Sequence, residues 1–271
     1  MARKYALRRG HSILSSFLHV VLNILLGVGS IAVTAISGSW VLGIVLVIIS
    51  KWRVFAVRPR FWWANIKANL VDFIVGSSFV LLAYVVNSSS LSISLFGWSA
   101  IPLAYVILAI GYTLWLIFLK PLSSERATAV QSLVAIFLGT SAAAVLIGAL
   151  DSLWLALVCF IIGYSATRHV LIQNDEEDFF LLSFLAGLLF AEIAWLSQSW
   201  LIIYTLFDGS IIVPQLALLL TIFAFVLGSV YKSLFKHENK VRLADIATPV
   251  IFSVLTIAVI VLIFSQPIFN K

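Results

Sequence analysis

From Ser12 to Ser50 the chain runs for 39 residues without one formal charge. A bilayer core about 30 Å thick takes roughly 20 apolar residues per helix. The stretch is therefore long enough for two crossings joined by almost no turn. Gly27, Gly29, Ser37 and Gly38 are the turn residues available, so the tip is expected between them. Arg3, Lys4, Arg8 and Arg9 precede the stretch, and Lys51, Arg53, Arg58, Arg60 and Lys67 follow it. Basic residues beside membrane helices gather on the cytoplasmic side. Keeping both clusters on that side requires two helices here.

The rest of the chain continues the pattern. It is 62% hydrophobic and only 10% charged, with a mean hydropathy of +1.14. A soluble domain carries about 25% charged residues, and disordered chains are poor in hydrophobics. Both classes are excluded. The expected fold class is all-α: a polytopic transmembrane helical bundle forming a single integral membrane domain over residues 1–271. Nine spans are predicted, near 12–30, 33–50, 66–87, 99–119, 127–148, 151–168, 178–198, 211–231 and 244–266. With the N-terminus cytoplasmic and the C-terminus outside, 16 of the 17 basic residues fall on the inner side, and only Lys271 lies beyond the ninth span. The outer loops around Asn87–Ser90, Leu150–Asp151 and Gln198–Ser210 carry no basic residue. The expected location is the plasma (cytoplasmic) membrane.

Tryptophans agree with this topology. Trp52, Trp62 and Trp63 fall at the inner edge, and Trp40, Trp98, Trp154 and Trp200 near the outer one, as in an aromatic belt. Trp115 and Trp195 lie deeper and are expected to pack between helices. The basic charge is thus topological. Its natural partner is anionic phospholipid on the cytoplasmic side, not nucleic acid. A cleaved signal peptide would need an apolar stretch of about 7–15 residues. The stretch here is longer and holds His19 and Asn23, so it is expected to remain as a helix. The single cysteine, Cys159, sits in an apolar run and reads as a small buried hydrophobe.

Two polar segments stand out on the inner side. In the loop from Lys51 to Asn69, aromatics alternate with basic residues and Pro59 breaks the run. It is expected to lie flat at the interface, with rings among the headgroups and cations toward phosphates. Arg53, Arg58, Arg60 and Lys67 are the headgroup candidates. The second segment is Asn174 followed by Asp175, Glu176, Glu177 and Asp178, whose carboxylates are candidate ligands for a divalent cation. These five residues resemble the NDxxD motif of membrane prenyltransferases of the UbiA type. That resemblance implies nine helices and a second acidic motif facing the first across magnesium diphosphate. The other inner loops offer only Asp72, and the likeness ends at those five residues, so no family is assigned. No Gly-rich phosphate loop and no HExxH motif occurs. Neither a cofactor nor a resident metal is expected.

Inside the membrane, polar groups are costly and usually face the bundle interior. Glu192 falls roughly 21 Å from the inner end of the seventh span at 1.5 Å per residue. A carboxyl at that depth needs a partner. His19 and Asn23 are four residues apart and share a helix face. Gln131 and Asp72 fall nearer the inner surface. One expectation is a polar track from Asp72, His19 and Gln131 to Asn23 and Glu192, enclosed by the first, third, fifth and seventh helices. The stretch Trp200–Gly209 is apolar but too short to cross. It is expected either to prolong the seventh helix or to fold back, with Asp208-Gly209 as a turn.

Three functions fit these features. The leading one is a non-catalytic subunit or scaffold of a membrane complex, with a protein partner. The second is a small-solute transporter using the polar track. The third is an enzyme acting on a lipid-linked substrate at the cytoplasmic face. The scarcity of intramembrane polar groups favours the first, and the short loops disfavour the third.

Overall fold

The structure is a computed structural model that describes residues 13–86, 92–93, 101–147, 152–206, 211–237 and 240–264. It is an all-α bundle with two short hairpins. The helices are α1 (Ile13–Ser37), α2 (Trp40–Ser50), α3 (Trp52–Phe55), α4 (Trp62–Ala68), α5 (Leu70–Val85), α6 (Leu103–Leu114), α7 (Glu125–Leu146), α8 (Ser152–Gln173), α9 (Phe179–Ser197), α10 (Gln215–Lys236) and α11 (Leu243–Phe264). The last turn of α6 widens into a π-helical segment, Trp115–Leu119.

Among the described residues, five helices are long and apolar enough to cross a membrane: α1, α7, α8, α9 and α10. Residues Pro59–Ala68 and α5 pass the same test together, but are bent by 68° at their junction. Shorter apolar helices lie at α2, at α6 with its π segment, and at α11. Each of the nine expected spans overlaps a helix, but five helices, or six with the bent pair, have the length and composition of a span, not nine. The 11 residues of α2 rise only about 16 Å. These helices are compatible with a multi-pass membrane protein.

The first hairpin departs from expectation. Helix α1 runs to Ser37 instead of ending near residue 30, and the turn is Gly38, at φ +61°. Only Gly takes that left-handed conformation at little cost. Gly27 stays helical because it serves another purpose: a Cβ there would collide with Thr113 Oγ1 on α6. Its missing side chain is used for close packing, not for turning.

Helix α7 is the centre of the bundle, packed by α5, α8 and α10. Its sequence explains this. Ala135, Gly139, Ala142, Ala143 and Ala144 are small and buried, which lets neighbouring backbones approach. A Cβ on Gly139 would fall 2.9 Å from Ile74 and 3.0 Å from Ile162, on opposite neighbours. One apolar core lies on the α1–α2–α5–α6 side and includes Val47, Val75, Phe79, Tyr112 and Trp115. The other lies on the α8–α9–α10 side and includes Leu155, Cys159, Ile162, Phe190 and Leu220. Cys159 is fully buried, as expected.

Of the two expectations for the segment after α9, the structure shows the chain folding back rather than prolonging the helix. After a 3-10 turn at Gln198–Trp200, β3 (Ile203–Leu206) pairs antiparallel with β4 (Ile211–Pro214). The β-branched Ile, Thr and Val of these strands suit an extended backbone better than a helix end. Asp208-Gly209 falls between the strands but outside the described residues. A smaller pair, β1 (Ser92–Ile93) with β2 (Ile101–Pro102), precedes α6. Pro102 and Pro214 each stand just before a helix, and Pro249 lies inside α11 near its start.

Candidate functional site

The basic and aromatic loop becomes an elbow. Lys51 ends α2, α3 makes one turn, Pro59 starts a short 3-10 turn, and α4 runs up to the bend into α5. The elbow is held by its own backbone carbonyls. Trp62 Nε1 donates to Phe55 O and Val57 O, both at 3.0 Å, and Asn65 Nδ2 donates to Val54 O at 3.3 Å. Trp62 also meets Phe55 edge to face. Arg53, Arg58 and Arg60 are exposed, as are Trp52, Phe61, Trp62 and Trp63. Arg60 stands over the Phe61 ring at 4.6 Å, and Lys67 over Trp63 at 5.4 Å. Lys67 is half-buried, whereas the three arginines are exposed.

The two ends of the elbow are joined by an ion cluster. Asp72, in the first turn of α5, pairs with Lys51, and with Lys120 at 2.9 Å. Lys51 Nζ also donates to the Asp72 main-chain oxygen at 3.1 Å, and Trp115 Nε1 donates to Asp72 Oδ1 at 3.0 Å. One carboxylate thus gathers α2, α5 and the π segment. Lys51 is buried. Burial pulls its ammonium down to about 8; Asp72 opposes that fall and Lys120 adds to it.

A second cluster lies at the same end. Gln131 on α7 is buried, and its Nε2 donates to Leu119 O at 2.6 Å and Leu122 O at 2.9 Å. Both carbonyls lie where the π segment ends, and Leu119 O also accepts from Leu122 N at 3.2 Å. Its Oε1 lies 2.8 Å from Nε2 of His169 on α8. Arg168 beside it donates to the main-chain oxygen of Lys67 at 2.9 Å, tying α8 to the elbow.

These contacts correct the polar track. Asp72 and Gln131 are near neighbours at one end of the bundle, each occupied by packing partners. His19 and Asn23 bond each other at 3.2 Å on the outside of α1, His19 exposed and Asn23 half-buried. Glu192 is exposed on α9. The five residues do not line one path. Spacing along the chain shows which residues share a helix face, but not which face turns inward. Trp195 is corrected for the same reason. It is 66% exposed, whereas Trp115 is buried as expected. Trp98 lies outside the described residues.

The acidic segment is corrected as well. Glu176 Oε2 accepts from the Tyr231 hydroxyl at 2.6 Å, joining the α8–α9 turn to α10. Asp175 takes a positive φ of 54° within that turn. Asp178 stands at the start of α9, and Glu177 is exposed. Among the described residues, no group of three or more His, Cys, Asp or Glu could hold a metal ion. Adjacency in sequence does not by itself bring four carboxylates onto one ion, and Glu176 is engaged by Tyr231. A further cluster at this end, His237 to Asp245 at 2.7 Å with Lys236 at 3.8 Å, fastens α10 to α11.

Sequence reasoning missed Lys51 and Lys120 as partners of Asp72, and His169 as the partner of Gln131. A signal was present. All five sit toward helix ends beside the basic clusters, and an acid among surplus cations there will find one. No known protein family, curated protein or solved structure matches this chain.

Proposed function

We propose that the chain is a multi-pass subunit or scaffold of a membrane complex and carries no chemistry of its own. Its nine helical segments cross or enter the plasma membrane, with the N-terminus cytoplasmic and the C-terminus outside. The elbow then lies at the cytoplasmic surface, where Arg53, Arg58 and Arg60 meet anionic phospholipid headgroups and the exposed tryptophans sit among them. The ion cluster at Asp72 holds the elbow against the bundle.

One observation carries this reading: the buried polar side chains at the basic end of the bundle are spent on packing. Gln131 satisfies two main-chain carbonyls and His169. Asp72 satisfies two lysines and a tryptophan. A proton or solute carrier needs such groups free and aligned, and an enzyme needs them converging on a pocket.

Native mass spectrometry after gentle extraction from the protein's own membrane tests the proposal. Release together with another chain at fixed stoichiometry is expected. A free monomer holding a small solute or a lipid intermediate would overturn it.

A further inference from the structure

Helix α9 packs along α8 and barely touches α10. Ser183, Gly187, Phe190 and Ala194 are buried there. The fit is close: a Cβ on Gly163 would come 2.6 Å from the Phe190 ring, and one on Gly187 2.9 Å from Phe160. The other side of α9 has no neighbour among the described residues. Along it Leu181, Leu185, Leu188, Glu192 and Trp195 follow at alternating steps of four and three residues, and all are exposed. That spacing is the seam by which two helices pack at a shallow angle. Leu196, beside the seam's end, is 67% exposed.

Glu192 is the one acid on this seam. It lies 13 residues from Phe179, roughly 20 Å along the helix at 1.5 Å per residue. Leu188, Leu189, Trp195 and Leu196 surround it on the exposed side. Among the described residues it makes no hydrogen bond or ion pair. Lipid tails cannot solvate a carboxylate, so a helix that covers the seam is favoured if it brings a cation. The described cations of a second copy do not supply one at that depth. Its described lysines and arginines stand at the basic end of the bundle, on Lys51, Lys120, Arg126, Arg168, Lys232 and Lys236 among others, about 20 Å from the depth of Glu192. Side by side in one membrane, two copies would set Glu192 against apolar residues or against itself.

We infer that the α9 seam docks a transmembrane helix of a partner protein, and that this helix carries a lysine or arginine at the depth of Glu192. The inference rests on the subunit reading and gives it a surface and a chemistry. Leu185 and Leu188 pack against the partner's apolar residues on one side of the ion pair, and Trp195 on the other. The small α8-facing residues keep α9 rigid while its outer side is engaged.

The test uses the full chain in its own membrane. A photo-cross-linking phenylalanine replaces Leu188, and, as a control, Phe252 on the exposed side of α11. The adduct peptide is then sequenced. The Leu188 position is expected to give one adduct with a different chain, in a transmembrane segment that contains lysine or arginine. Glu192→Leu should lower the yield about tenfold, equivalent to about 1.4 kcal/mol, without changing the melting temperature of the exposed-site variant. Glu192→Gln should lower it less. An adduct between two copies, a partner segment without a basic residue, or an unchanged yield in Glu192→Leu would overturn the inference. If native mass spectrometry finds a partner but Leu188 does not reach it, the subunit reading stands and this surface is wrong. If no partner is released at all, both fall.

Discussion

Lys51 closes onto Asp72, 21 residues further along the chain, bonding both its carboxylate and its main-chain oxygen. Everything between them is the elbow. The pair therefore sets where this basic and aromatic surface stands, and Trp115 of the π segment and Lys120 just after it fix the same carboxylate.

Removing the carboxylate should be costly. In Asp72→Ala the buried Lys51 loses its counter-ion, and a broken buried pair costs about 3–5 kcal/mol. Lys120 is 40% exposed at its side chain, and Lys120→Ala should cost about 1 kcal/mol or less, as exposed pairs do. Thermal melts in detergent should rank the two variants in that order. Lys51→Met combined with Asp72→Leu should recover much of the loss, because no unpaired charge is left buried. Equal melting temperatures for the two single variants would show that the pair does not hold the elbow.

Gln131 is expected to matter by what it leaves behind. Gln131→Leu takes the side-chain donor from Leu122 O and the partner from His169, at about 1–3 kcal/mol per unsatisfied buried group, while Leu119 O keeps its bond from Leu122 N. Gln131→Glu keeps an acceptor for His169 but loses both donors to the carbonyls. Melting temperatures should fall in the order wild type, Gln131→Glu, Gln131→Leu. A double-mutant cycle with His169→Ala should show coupling between the two positions.

Glycine substitutions should separate packing from conformation. Gly163→Ala forces the Phe190 ring to move and should cost about 1–3 kcal/mol by overpacking. Gly29 and Gly228 have nothing within 4 Å of a new Cβ. Alanine at either should be neutral or stabilise by up to about 1 kcal/mol, since alanine favours a helix. A stable Gly163→Ala protein would mean that α8 and α9 stand further apart than the structure has them.

The elbow's cations should select lipid. Each arginine near an anionic surface contributes about 1 kcal/mol. Arg58→Gln with Arg60→Gln should then weaken binding of phosphatidylglycerol about thirtyfold and leave phosphatidylcholine unaffected. Lipid titration followed by native mass spectrometry reads both. Equal loss for the two lipids would assign these residues to packing.

Membrane character was legible in the chain because hydrophobicity over about 20 residues is a bulk property, independent of which side chain touches which. Every expected span overlaps a helix, but only five of the described helices, or six with the bent pair, are long and apolar enough to cross a membrane. Helix ends were less legible. Gly27 and Gly38 are the same residue type, and only the neighbour at Thr113 makes one a packing site while open space and a positive φ make the other a turn.

What the tertiary structure alone decided is which way each helix turns. Gln131 and Glu192 both read as costly polar groups in apolar runs. Rotation about the helix axis put one in the core against His169 and the other on the outer seam of α9. A helix that is apolar on all sides has no face marked for the interior. Its orientation is set by the shapes of its neighbours, as where Gly163 admits Phe190 and so turns Glu192 away from α8.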